Sequence, residues 1–102
     1  VNYTTIIRPE AENDMNEAFL WYEGKRKGLG YNFLSQVEAG IRILELNPYI
    51  HPVEYKETRR HLIKRFPYKI LYIVEEKRNL ILAVVHGRRN PKLIYERIRR
   101  VE

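Results

Sequence analysis

The chain has 102 residues, a formal net charge of +6, 44% hydrophobic and 31% charged residues, and no cysteine. That length suits one domain over residues 1–102, and the hydrophobic content excludes wholesale disorder. The missing cysteines exclude a disulfide scaffold, a thiolate nucleophile and any cysteine-based zinc or iron–sulfur centre.

The longest apolar run, Leu80 to Val85, falls far short of the ~20 residues of a membrane span. The start, VNYTTIIRPE, shows no basic region leading into an apolar stretch, so no signal peptide is expected. Residues 3–8 (YTTIIR) are β-branched and predict a strand. Pro9 stops it and suits the first position of a helix, where its missing N–H would be unpaired anyway. Glu10, Glu12 and Asp14 then meet the positive end of the helix dipole. Met15, Ala18, Phe19 and Tyr22 recur at helical spacing, so an amphipathic helix is expected over Pro9–Lys25. The segment GKRKGLG (24–30) mixes glycines with cations and reads as the turn of an αα-hairpin. It lacks the Gly-Lys-Ser/Thr ending and preceding strand of a phosphate-binding loop.

A second helix is expected over 31–47. Leu34, Val37, Ile41 and Leu44 form its buried stripe, Phe33 and Ala39 lie near the margin, and Asn47-Pro48 ends it. Residues 48–58 contain two prolines and read as an irregular connection. From Arg59 the pattern becomes extended, with strands over 59–66, Tyr68–Glu75 and 80–86 and a polar turn over 76–79. Such short turns force antiparallel neighbours. The last two strands are apolar on both faces, which makes them central. The helical hairpin would cover one face, and the tail or a partner part of the other. Residues 92–101 predict an optional short helix with Leu93, Ile94, Ile98 and Val101 as apolar contacts. The expected fold is α+β, ordered β-α-α-β-β-β, with the hairpin packed on one face of a mainly antiparallel sheet.

Charge is uneven along the chain. Residues 1–55 carry five Lys/Arg against eight Asp/Glu, and residues 56–102 carry fourteen against five, a net −3 beside a net +9. A basic half implies an anionic partner. Metal chemistry has little support: His51, His61 and His86 show no i,i+4 pairing and no His-Glu-x-x-His. His86 reads as a strand end bonded to backbone. Ser35 stands alone inside a helix, and no Gly-x-Ser-x-Gly elbow surrounds it. Glu75 and Glu76 point to opposite faces and make a poor acid–base pair. The remaining constellation is basic and aromatic: Arg59, Arg60, Lys64, Arg65, Lys69, Arg88 and Arg89, interleaved with Tyr68, Tyr72 and Tyr95. Guanidinium groups bind phosphate in two-pronged fashion, and tyrosine stacks on bases or transfers a proton. RNA cleavage through the 2′-hydroxyl needs a base, an acid and cations for the phosphorane charge. Tyr68 and Tyr72, on a strand, are expected as packing residues.

The run RRHLIKRFPYKILYIVEEKRNLILAVVHGRRNP resembles the C-terminal half of the RelE/ParE superfamily of bacterial toxins. Pro9-Glu10-Ala11-Glu12 through Trp21-Tyr22-Glu23, then Gly28-Leu29-Gly30 and Phe33-Leu34, resembles the N-terminal half of its ParE-type branch. The most specific parts are Arg65-Phe66-Pro67-Tyr68-Lys69-Ile70 and His86-Gly87-Arg88-Arg89-Asn90-Pro91. The resemblance implies the cytoplasmic toxin of a type II toxin–antitoxin (plasmid stabilization) system. It implies a β-α-α-β-β-β fold, a cognate antitoxin, no cofactor and no metal. A RelE-like activity, cutting mRNA on the ribosome, would assign catalysis to Arg60, Lys69, Arg89 and Tyr95. Leu62 departs from that pattern, standing where a second lysine is expected. A ParE-like activity, poisoning DNA gyrase, needs no catalytic residue. Arg59, Lys64, Arg65 and Arg88 would then contribute to target binding. The His-Gly-Arg-Arg-Asn-Pro ending and the first helix favour the ParE-like reading. A non-toxic basic binding domain of the same fold is the third alternative.

Overall fold

A computed structural model describes residues 2–101, without the side chains of Pro91, Leu93, Ile98, Arg100 and Val101. Strand β1 (Thr4–Ile7) leads into helices α1 (Pro9–Lys25) and α2 (Leu29–Leu46). A 3₁₀ turn (Pro48–Ile50) follows, then β2 (Val53–Tyr55), β3 (Thr58–Leu62), β4 (Tyr68–Glu75), β5 (Arg78–His86) and α3 (Pro91–Val101). The strands form one sheet in the order β1-β5-β4-β3-β2. β1 runs parallel to β5, and the other pairings are antiparallel.

The expected α+β order holds, with corrections in detail. The connection after α2 is not wholly irregular: Val53–Tyr55 adds an edge strand on β3. The strand expected over 59–66 stops at Leu62, because the chain then turns tightly, with Ile63 N–H bonded to the Tyr68 carbonyl at 3.1 Å and Arg65 at φ 71°. β5 starts at Arg78 rather than Leu80 and α2 at Leu29 rather than Tyr31. The buried stripe of α2 runs through Gly30, Phe33, Val37, Gly40 and Leu44. Phe33 is therefore central to it, and Ala39 is exposed.

The αα-hairpin is set by a carboxylate and a close approach. Glu23 accepts the N–H groups of Gly28 and Gly30 at 2.8 and 2.9 Å, serving donors that the start of a helix leaves unpaired. A Cβ on Gly30 would lie 2.6 Å from the Phe19 carbonyl oxygen, so only glycine lets the two helices meet there.

The hairpin covers one face of the sheet. Ala11, Ala18, Phe33, Val37 and Leu44 pack on Ile70, Tyr72, Ile81 and Val84. The other face holds Leu71, Ile73, Leu82, Ala83 and Val85, joined by Ile94 of α3. The tail thus covers part of that face. The expected contacts of Leu93, Ile98 and Val101 lie outside the described side chains. Leu82 and Ala83 are consecutive yet share a face. Leu71 opposes Ala83 whereas Tyr72 opposes Ile81, so Leu82 is a bulge that resets the alternation.

Candidate functional site

The pairing of β3 with β4 sets the first surface. Leu71 lies opposite Arg60, and Lys69 opposite Leu62. Because side chains alternate along a strand, Arg60, Leu62, Lys69 and Leu71 share the face away from the hairpin. Ile94 seats α3 on that face, and the ring of Tyr95 stacks on Tyr55 with centroids 4.2 Å apart. Arg60, Lys69, Leu71, Ile94, Tyr55, Tyr95 and buried Thr58 line a cleft of about 150 Å³. Arg60 Nε is ion-paired to Glu54 Oε2 at 2.9 Å. The cleft is lined by three cations, Arg59, Arg60 and Lys69, by the carboxylate of Glu54 and by the phenols of Tyr55 and Tyr95. Leu62, 62% exposed, brings an apolar side chain to the same face.

Arg89 lies elsewhere. It lines a groove of about 600 Å³ with Asp14, Trp21 and Tyr22 of α1, Tyr68 of β4 and Val84 of β5. The structure therefore brings Arg60, Lys69 and Tyr95 together and separates Arg89 from them. The physical reason is local. β5 ends at His86, and its next residues turn toward the hairpin side of the sheet while α3 crosses to the opposite side. Burial pushes the Tyr68 phenol upward, and the Arg89 charge acts in the opposing direction. Trp21 is 58% exposed, with Lys25 Nζ 4.7 Å from its ring centroid.

The four cations expected to bind a target are also dispersed, with Arg59 alone of them on the Arg60–Lys69 cleft. Arg59 is fastened down: its Nη1 donates to the His51 carbonyl, and its guanidinium lies 5.0 Å from the Tyr49 ring centroid. Lys64 and Arg65 line a third groove beside α2. Arg88 is exposed after β5, where its backbone N–H donates to His86 Nδ1 at 3.0 Å. His86 thus bonds backbone, as expected of a strand end. Tyr72 is a core residue. Its hydroxyl donates to the Pro48 carbonyl at 2.7 Å, and burial pushes its pKa up to about 12.

Sequence reasoning missed two pairings. Asp14, taken only as a helix-dipole charge, accepts the Val84 N–H at 3.0 Å and the Arg97 guanidinium at 2.6 Å. The signal was an acidic residue at the 11, 14, 18 spacing of the buried stripe. His51 and His61 meet with ring nitrogens 2.8 Å apart. No spacing rule links a loop histidine to one on a strand ten residues later. Among the described residues, no three His, Cys, Asp or Glu side chains gather to hold a metal ion, and no helix is long and apolar enough to cross a membrane.

The family model described as "ParE toxin of type II toxin-antitoxin system, parDE" matches residues 5–91. No curated protein matches the sequence. Solved structures of similar fold include two toxin–antitoxin systems. The chromosomal ParDE toxin–antitoxin system from P. aeruginosa aligns at 15% identity with a TM-score of 0.73, over 82% of this chain and 95% of that one. The toxin–antitoxin complex RelBE2 from Mycobacterium tuberculosis aligns at 20% identity with a TM-score of 0.59, over 84% of this chain and 99% of that one. At these identities the likeness is one of fold.

Proposed function

This chain belongs to the ParE toxin family of type II toxin–antitoxin systems, and from that premise we propose that it arrests growth by binding and poisoning DNA gyrase. The division of the cations carries the reading. Arg89 stands in a different groove from Arg60, Lys69 and Tyr95. Leu62 occupies the position where the RNA-cutting pattern has a cation, and Arg60 is engaged by Glu54. Metal-free cleavage needs its acid, base and cations around one phosphate. A binding toxin needs only exposed surface, which Arg88, Arg89, Trp21 and Leu62 supply.

A cognate antitoxin is the natural occupant of the groove beside α1. Its walls are apolar at Ala18, Trp21 and Val84 and charged at Glu17 and Arg89. An amphipathic segment with charges of both signs matches that lining. Gyrase places the activity in the cytoplasm, and a paired toxin and antitoxin serve plasmid stabilization.

The test is a supercoiling assay with purified gyrase. Inhibition and trapped cleaved DNA are expected; unchanged supercoiling at excess toxin would overturn the proposal. One observation favours the second reading, a ribosome-dependent mRNA endoribonuclease: Arg60, Lys69 and Tyr95 do share a cleft. New mRNA ends mapped on translating ribosomes would establish it.

A further inference from the structure

Most arginines that face a carboxylate are paired with it: Arg8 with Glu10, Arg42 with Glu38, Arg60 with Glu54 and Arg97 with Asp14. Lys64 and Arg65 have no such partner among the described residues. They line a groove of about 370 Å³ between α2 and the β3–β4 turn, together with Gln36, Gly40 and His61. Arg65 sits there at φ 71°, a backbone conformation that strains a residue with a side chain. Strain of this kind gathers at ligand-binding positions.

His61 is held in place from two sides. Its Nδ1 faces His51 Nε2 at 2.8 Å, so one ring donates and the other accepts. On α2, Gly40 makes room for it, because a Cβ would stand 3.0 Å from His61 Cδ2 and 3.2 Å from Nε2. Nε2 of His61 is left beside Gly40, with no protein partner among the described residues. The charged groups around the pair are Arg59 and Arg60 from β3, Glu54 from β2, and Lys64 and Arg65 from the turn. Gln36 and Gly40 of α2 bring none.

We propose that this groove binds a phosphate group of a nucleic-acid backbone, with Lys64 and Arg65 as its fixed charges and protonated His61 as a third. In the free protein, burial holds the His61 imidazole below its ordinary range, and the His51 ring adds to that. Burial likewise lowers His51, with the charges of Arg59 and Arg60 acting in the same direction. A bound phosphate offsets those costs. Binding therefore takes up a proton, and affinity rises as pH falls through the region of the ordinary histidine value.

The probe is a fluorescein-labelled DNA duplex of about 20 base pairs, followed by anisotropy at low salt at about pH 6 and about pH 8. Wild type is expected to bind several-fold more tightly at the lower pH. Lys64→Gln/Arg65→Asn should weaken binding about tenfold; asparagine tolerates the left-handed backbone at position 65. Arg26→Gln/Lys27→Gln removes the same two charges from the α1–α2 turn and should cost clearly less. Equal losses in the two double variants would reduce the effect to net charge and overturn the site. His61→Gln should abolish the pH dependence; a pH dependence that survives it, or is absent from wild type, would overturn the role of His61. Competition with inorganic phosphate separates the sources: a groove that takes free phosphate but no duplex is not a nucleic-acid site. Circular dichroism at both pH values checks that each variant is folded.

Discussion

Arg97 of α3 and Asp14 of α1 form a nearly buried fork, with Nη1 2.6 Å from Oδ2 and Nη2 3.3 Å from Oδ1. It lies beside the part of β5 that has β4 on one side and no strand on the other. β1 pairs only as far as Ile81, and Asp14 then supplies the acceptor that a further strand would have given Val84. The same carboxylate therefore closes the sheet edge and holds α3.

Breaking this pair from one side should be costly, because it leaves a buried charge uncompensated. Arg97→Ala is expected to lose about 3 kcal/mol. Asp14→Asn/Arg97→Met, which removes both charges and keeps an acceptor for Val84, should recover much of that loss. Urea titrations of the two variants check this; equal destabilisation would show that packing, not charge, holds α3.

Gly30→Ala should destabilise by about 2 kcal/mol through overpacking, since the new methyl meets the Phe19 backbone oxygen rather than a side chain that can move. Thermal unfolding of this variant beside Gly24→Ala, where nothing lies within 4 Å, separates the close approach from helix propensity.

Lys56 and Glu57 turn the β2–β3 hairpin with φ of 42° and 63°. Two-residue turns of this hand favour glycine. Glu57→Gly is expected to stabilise by about 1 kcal/mol, raising Tm by roughly 4–8 °C for a domain of this size. An unchanged or lower Tm would contradict the turn geometry.

Tyr72 links stability to alkaline pH. Its pKa, raised to about 12 from 10.0, favours the neutral phenol in the folded state. The unfolded chain therefore releases its proton first. The stabilisation is complete below pH 10.0 and is lost as pH rises toward about 12. Tyr72→Phe should flatten that decline and cost about 1–2 kcal/mol at neutral pH, because the Pro48 carbonyl loses its donor. Denaturation midpoints across the alkaline range measure both effects.

Arg89→Ala should weaken growth arrest where the toxin acts by binding, because Arg89 stands outside the cleft of Arg60, Lys69 and Tyr95. Tyr95→Phe should matter only where the hydroxyl does chemistry, since the phenyl ring still stacks on Tyr55. Killing that survives Tyr95→Phe and is lost with Arg89→Ala indicates binding; killing lost with Tyr95→Phe indicates catalysis. Induced expression of the two variants gives the comparison.

Much of the fold was legible in the residue pattern. Pro9, the 15–18–19–22 spacing, the glycines of 24–30 and the apolar run of β4 are local signals, and a local signal survives without knowledge of neighbours. The edge strand Val53–Tyr55 was not legible, because a three-residue strand directly after Pro52 exists only through its pairing with β3. The same holds for the bulge at Leu82 and for Phe33 at the centre of the α2 stripe, where the partner surface decides. At the sites, sequence supplied the residue types and the uneven charge. Tertiary structure decided the grouping: Arg60 with Lys69 and Tyr95, Arg89 with the α1 groove, Lys64 and Arg65 beside His61. Charge adds up along a chain whatever its shape, whereas which charges face one ligand depends on strand register and helix docking, and those are set by contacts distant in sequence.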